Sequence, residues 1–178
     1  VVIDGNSPAF QSVSAADGSY KVNDNVDITV TWDENVVVTG TPTLILSNGA
    51  TASYTSGSGS AALVFTYTVA ENDNNSSDLS VSSYSGTITD SAGNTAAAIG
   101  NGDLGTVVID GNSPAFQSVS AADGSYKVND NVDITVTWDE NVVVTGTPTL
   151  ILSNGATASY TSGSGSAALV FTYTVAEN

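Results

Sequence analysis

An uninterrupted internal repeat dominates this sequence. Residues 1–72 are identical to residues 107–178, an offset of 106 residues without a mismatch. A period of this length is too long for one solenoid unit, and it matches the size of a domain that has its own core. The repeat therefore predicts four segments along the chain. They are 1–5 as the end of a preceding repeat, 6–106 as a complete repeat, 107–111 as a linker, and 112–178 as a second, truncated repeat.

The second copy reaches Asn178 before the equivalents of its last two predicted strands. Two explanations fit: the sequence is a window cut from a longer array, or another chain supplies the missing strands. Copies that bound different ligands would differ in their surface loops. Identical copies therefore favour an interchangeable role such as spacing, although a recent duplication or an engineered tandem would also leave them identical.

The composition removes several classes of function. The 178 residues include 18 acidic side chains and two lysines, with no His or Cys, and the net charge is −16. A chain without imidazole or thiol groups has no disulfide, no ordinary zinc site and few catalytic nucleophiles, and we expect no enzyme activity. Two lysines cannot neutralise a phosphate backbone, and no run approaches about 20 apolar residues. We therefore expect neither nucleic-acid binding nor membrane insertion.

Alternating apolar and polar residues predict strands with one buried face. The pattern is clearest over 26–33 and 61–70, and turn signals rich in Gly, Asn and Asp separate the segments. Trp32 is predicted to fill the core. The predicted strands are 8–15, 26–33, 36–39, 43–47, 50–55, 61–70, 79–90 and 94–99, followed by an extended segment at 106–109. Seven or eight short antiparallel strands predict an all-β fold of tandem immunoglobulin-like sandwiches.

Acidic residues from distant segments should meet at one end of each sandwich. The strand at 26–33 runs toward that end and finishes there with Asp33, followed by Glu34, and the strand at 79–90 ends there with Asp90. The incoming linker brings Asp4. The corresponding residues of the second copy are Asp110, Asp139 and Glu140.

These carboxylates repel one another, and the chain has almost no cationic side chains to balance them. A hard cation with oxygen ligands is the natural counter-ion, and calcium accepts about 6–8 oxygens in flexible geometry. We therefore expect Ca²⁺ at the junctions between repeats. The plainer interpretation is that the acids are solvated turn residues.

Several phrases of the repeat resemble the bacterial immunoglobulin-like extender repeats of giant calcium-dependent surface adhesins of the RTX type. The resemblance spans the whole repeat. Its phrases are Tyr20-Lys21-Val22, Ile28 to Glu34 (ITVTWDE), Val38 to Leu44 (VTGTPTL), Phe65 to Val69 (FTYTV) and Thr89 to Asn94 (TDSAGN).

The resemblance implies spacer domains that fold outside the cell on binding calcium and hold a ligand-binding tip away from the bacterial surface. It implies metal ligation by Asp90 in the Asp-x-Ala-Gly-Asn turn, by the linker residues Asp4 and Asp110, and by Asp33 or Glu34. The family usually has Phe-Ser-Glu where this chain has Trp32-Asp33-Glu34, so either acid could coordinate.

The leading functional prediction is a structural extender of a secreted or cell-surface adhesin, with neighbouring repeats of the same chain as its partners. One alternative is the repeat unit of a self-assembling extracellular filament, in which like chains associate. Another is a glycan- or ice-binding module, suggested by outward rows of threonine such as Thr66 and Thr68. Polar outward faces of strands explain these rows equally simply.

Overall fold

The computed structural model describes residues 3–100 and 102–177 of the chain. The described residues form strands, turns and loops. They include no helix, and therefore no helix that could cross a membrane. The predicted all-β class is confirmed, and the multiple antiparallel sheets are consistent with a β-sandwich fold. The predicted tandem arrangement of immunoglobulin-like sandwiches stays a prediction. The chain divides into two compact units, Val1–Ser113 and Pro114–Asn178.

Seven strands build the first unit. They are β1 (Phe10–Ser14), β2 (Gly18–Lys21), β3 (Asn25–Leu46), β4 (Thr51–Ser56), β5 (Ser60–Thr68), β6 (Val81–Thr89) and β7 (Val107–Asp110). The three separate strands predicted at 26–33, 36–39 and 43–47 are one strand of 22 residues, β3. The segment predicted as a strand at 94–99 makes only an isolated bridge, between Thr95 and Thr89.

Strand β3 takes part in two sets of pairings, which explains how one strand can close the core. Its first part, from Asn25 to Thr31, lies between β1 and β5 in antiparallel register. Its later part, from Val37 to Leu46, pairs with β6, and residues 43–45 also pair with β4. The register with β5 shifts between Thr31 and Val36, where the strand passes from one set of partners to the other.

The buried face of β3 follows the alternation in its sequence. Val26, Ile28 and Val30 have no exposed surface, Trp32 is 2% exposed, and the residues between them are exposed or half-buried. Trp32 packs edge-on against Tyr84 of β6, with 6.3 Å between ring centroids. The predicted core role of Trp32 is therefore confirmed.

The segment that follows the first repeat packs on the first unit. Strand β7 pairs in parallel with β2, and Val107 and Ile109 are almost fully buried. The strand β2 was not among the predicted strands. Residues 107–111, predicted as a linker, thus lie within the first compact unit, whose boundary is at Ser113.

The second unit forms a single five-stranded antiparallel sheet. Its strands are β8 (Phe116–Ala121), β9 (Asn131–Val142), β10 (Thr149–Ile151), β11 (Thr157–Ser162) and β12 (Ser166–Thr174), in the order β10-β11-β12-β9-β8. Its buried core is small, consisting of Ile134, Val136, Ala158, Leu169 and Phe171.

Candidate metal centre

Three acidic residues from distant parts of the chain meet at one end of the first unit. Asp4 lies on the lead-in segment, Glu34 in β3 and Asp90 directly after β6. One carboxylate oxygen from each residue lies within 4.8 Å of the others. Within residues 3–100 and 102–177 this acidic group is the one cluster of at least three such side chains that could hold a metal ion.

A tight turn positions Asp90. The Asp90 Oδ1 atom accepts hydrogen bonds from the backbone N–H groups of Ala92 and Asn94, both at 2.8 Å. The side-chain amide of Asn94 donates to Asp90 Oδ2 at 2.7 Å and to the backbone oxygen of Asp4 at 3.2 Å. Asn94 therefore holds the lead-in segment beside the carboxylate of Asp90, which is only 3% exposed.

The environment changes the pKa values of two members in opposite directions. Burial raises the pKa of Glu34 above its ordinary value of 4.5, and the negative charges of Asp4 and Asp90 raise it further. Burial also acts to raise the pKa of Asp90, but hydrogen bonds from Asn94 and Ala92 outweigh it and lower the value. The turn therefore keeps Asp90 ionised, whereas Glu34 lacks a balancing positive charge.

Among the described residues of the first unit, no unpaired cationic side chain is available to supply that charge. The chain has no His or Arg, and Lys21 pairs with Asp24, with 3.2 Å between Nζ and Oδ1. The other lysine, Lys127, belongs to the second unit. Three converging carboxylates are oxygen ligands of the kind that calcium prefers, so the acidic group can hold a divalent cation from solution.

Asp33 has a different role from its neighbour Glu34. Its Oδ1 accepts the backbone N–H of Ala9 at 2.7 Å, and its own N–H donates to the oxygen of Ala9 at 3.0 Å. The pair of bonds fastens the start of the first strand to β3. Of the two residues that the sequence left as alternatives, the structure brings Glu34 into the acidic group.

The acids expected to form a second group lie in both units. Asp110 ends β7 of the first unit, whereas Asp139 and Glu140 belong to β9 of the second. Asp139 accepts the N–H of Ala115 at 2.7 Å, as Asp33 does with Ala9. Metal binding by Asp110, Asp139 and Glu140 stays a prediction.

Acids at the opposite end of the first unit bond to protein donors instead. Asp17 accepts the N–H of Thr106 at 2.8 Å, and Asp73 Oδ2 accepts the Tyr67 hydroxyl at 2.7 Å. Burial, followed by the bond to Asp73, raises the pKa of Tyr67 to about 12, so the hydroxyl remains a donor. Both acids are therefore engaged by donors of the protein itself.

Residues 107–113, here called the linker segment, dock at this same end of the first unit, which the sequence analysis did not predict. Ile109 exchanges two backbone hydrogen bonds with Ser76, and Gly111 accepts one from Asn72 at 2.7 Å. Ser113 donates to both carboxylate oxygens of Glu71. Because Glu71 stands in a run of polar loop residues, no local pattern distinguishes it from a solvated acid.

Comparison with known proteins adds no relative. No protein-family model matches the chain, and no curated protein matches its sequence. The resemblance to extender repeats stays a prediction that rests on the phrases quoted above.

Proposed function

We propose that this chain is part of a spacer in a secreted or cell-surface bacterial adhesin, and that calcium stiffens it at the junctions between repeats. The observation that carries the proposal is the acidic group of Asp4, Glu34 and Asp90. One of its members belongs to the segment that precedes the domain, and the other two belong to the domain itself. An ion bound there would tie the two together.

The repeat extends this reasoning to every junction. The linker segment carries Asp110, the equivalent of Asp4, and is fastened to the first unit by Glu71, Asn75 and Ser76. In an array of complete repeats, each linker segment would be fixed to the preceding domain and would also offer one carboxylate to the next. A calcium ion would then join two domains through one short peptide.

The charge of the chain suits this role. At −16 the chain repels itself, and calcium at each junction would both reduce that repulsion and add stability to the folded state. Extracellular modules bind calcium with Kd on the order of 10⁻⁴–10⁻³ M, so such a site fills outside the cell and empties in the cytosol.

The glycan- or ice-binding alternative receives less support. The hydroxyls of Thr66 and Thr68 donate to Asp27 and Asn25 across the sheet, both at 2.6 Å, so this row is engaged within the protein. The filament alternative shares the calcium junction with the spacer and differs in adding contacts between chains. Concentration-dependent assembly seen by electron microscopy would favour the filament.

Small-angle X-ray scattering tests the spacer on a chain extended after Asn178 by a copy of residues 73–106, so that both repeats are complete. At about 3.3 Å per strand residue, each repeat should add about 40–50 Å to the length. We expect calcium to increase the maximum dimension relative to EDTA.

A matched pair of variants locates the effect in this extended chain. Glu140→Gln removes a ligand from the junction between the two repeats and should abolish the increase. Glu34→Gln removes the equivalent ligand from the first repeat, which joins no complete domain to another, and should leave the increase intact. An unchanged maximum dimension in the unmodified extended chain would remove calcium stiffening from the proposal.

A further inference from the structure

We propose that the linker segment is the main load-bearing contact of the first unit, and that tension along the chain acts on it in shear. The proposal rests on the proposed spacer function, because a spacer that holds a cell to a distant target is pulled from both ends. The resistance itself would not require calcium, since protein groups alone hold the linker segment in place.

The chain enters and leaves the first unit at opposite ends. It enters at the end that holds the acidic group, where the carboxylate of Asp33 accepts the N–H of Ala9. It leaves at the other end, where Ser113 donates to Glu71. Strand β1 leads away from the entry end, and β7 leads toward the exit end. Tension on the unit therefore acts parallel to these strands.

Strands β2 and β7 run in the same direction and form the one parallel pair among the described strands. Four residue pairs are in register, from Gly18 opposite Val107 to Lys21 opposite Asp110. Tension would pull β2 back toward the entry end and β7 out through the exit end. The evenly spaced hydrogen bonds of the parallel pair would then share the load, instead of breaking one after another.

The other side of β7 is held as well. Ile109 exchanges backbone hydrogen bonds with Ser76 at 2.8 and 3.0 Å, and Leu79 donates to the oxygen of Val107 at 2.8 Å. Val107 has no exposed surface, and Ile109 is 2% exposed. Moving β7 along its axis would therefore break bonds on both sides at once and bring two apolar side chains into water.

Tension reaches this pair even if the entry side yields first. Strand β1 is held by its antiparallel pairing with β3. If β1 separated from β3, the pull would pass through residues 15–17 to β2, and from there directly to β7. The same junction is reinforced at Thr106, whose N–H donates to Asp17 at 2.8 Å and whose oxygen accepts the N–H of Gly18 at 2.9 Å.

Single-molecule pulling in EDTA tests the direction of the resistance. The chain has no cysteine, so pairs of exposed sites can serve as attachment points. Gly5→Cys with Pro114→Cys pulls along the strands, whereas Lys21→Cys with Pro114→Cys pulls β2 and β7 apart from their shared end. We expect the second pair to lower the unfolding force at least about twofold, because the four register pairs then break in sequence.

Two core variants separate load bearing from ordinary stabilisation. Ile109→Ala in β7 and Ile88→Ala in β6 remove the same atoms from almost fully buried positions, so both should lower equilibrium stability. Forced unfolding depends instead on the rate at which the loaded contacts break. When the chain is pulled along the strands, Ile109→Ala should therefore lose more of the unfolding force than Ile88→Ala.

Two results would overturn the proposal. One is an equal unfolding force for the two directions of pull, and the other is an equal loss of force in Ile88→Ala and Ile109→Ala. The comparison of directions needs no core substitution, so it decides the question if a core variant does not fold. Because all pulling is done in EDTA, failure of calcium stiffening in the scattering experiment would leave these results unchanged.

Discussion

Ser113 donates both its backbone N–H and its hydroxyl to the carboxylate of Glu71, at 2.9 and 2.6 Å. The hydroxyl bond, followed by the backbone bond, lowers the pKa of Glu71 below its ordinary value of 4.5. The linker segment is thus held at its far end by an ionised acid without a metal ion. In the proposed spacer, calcium acts at the other end of the unit, where the carboxylates of Asp4, Glu34 and Asp90 converge.

The bond between Glu71 and Ser113 predicts a pH dependence. A lowered pKa in the folded state contributes stability that is complete above the ordinary value of 4.5 and is lost as the pH falls through the folded value. We therefore expect the amides of residues 111–113 to lose protection from hydrogen exchange below that range.

The variant Glu71→Ala should speed exchange of the same amides about tenfold or more at neutral pH, because it removes a charged acceptor of two hydrogen bonds. Glu177→Ala is the matched control, because Glu177 is the equivalent residue of the second copy. If Glu71→Ala left the exchange of residues 111–113 unchanged, the proposed fastening of the linker segment would be wrong.

Close packing of the linker segment predicts a difference between two equivalent glycines. A Cβ atom on Gly111 would lie 2.3 Å from the backbone oxygen of Asp73, whereas one on Gly5 would meet nothing within 4 Å. Gly111→Ala should therefore displace the segment and destabilise the first unit by about 1–3 kcal/mol.

Gly5→Ala should change stability by less than about 0.5 kcal/mol. Urea denaturation followed by Trp32 fluorescence measures both variants in a Trp138→Phe background, because Trp32 is then the one tryptophan and is buried in the first unit. Equal effects of the two substitutions would contradict the docked position of Gly111.

The raised pKa of Glu34 predicts that metal-free protein loses stability as the pH rises through that value. A group whose folded pKa is raised favours the folded state when protonated, and this contribution disappears once the group ionises. In EDTA, the melting temperature of the chain should therefore fall relative to that of Glu34→Gln as the pH rises above the ordinary value of 4.5 and through the raised one.

Calcium should reverse this relation at neutral pH, because the ion supplies the missing countercharge. At roughly ten times Kd it would add about 1–2 kcal/mol to the unmodified protein. Identical pH profiles for the two proteins in EDTA would show that Glu34 is not destabilised by its neighbours.

Asp33 should contribute to stability without contributing to calcium binding. Asp33→Ala removes the acceptor for the Ala9 N–H and should cost about 1 kcal/mol in EDTA and in calcium alike. Asp139→Ala should have the same effect on the second unit, through Ala115. If calcium no longer stabilised the Asp33→Ala variant, Asp33 would have to be counted among the calcium ligands.

The two copies show which structural features are encoded locally. Val26, Ile28 and Val30 alternate with polar residues, and both this stretch and its equivalent in β9 form strands with the expected buried face. The period of two therefore predicts these strands correctly in either context. The turn after β6 was also predictable, because Asp90 and Asn94 are typical turn residues.

Features that depend on distant partners could not be predicted in this way. Residues 37–39 pair with β6 and belong to a strand, whereas their identical equivalents at 143–145 are not in a strand. Gly18–Lys21 is a strand beside β7, whereas residues 124–127 are not. Glu34 rather than Asp33 joins the acidic group, and this also depends on a distant partner. The Asp33 carboxylate is bound to the N–H of Ala9, 24 residues away.

Calorimetric titration of the full chain with calcium tests the acidic group most directly. We expect binding with a Kd on the order of 10⁻⁴–10⁻³ M. Glu34→Gln should weaken it at least about tenfold, and the control Asp123→Asn, an exposed acid outside the group, should leave it unchanged. Absence of binding at about 10 mM calcium, or equal binding by Glu34→Gln, would contradict a calcium site formed by Asp4, Glu34 and Asp90.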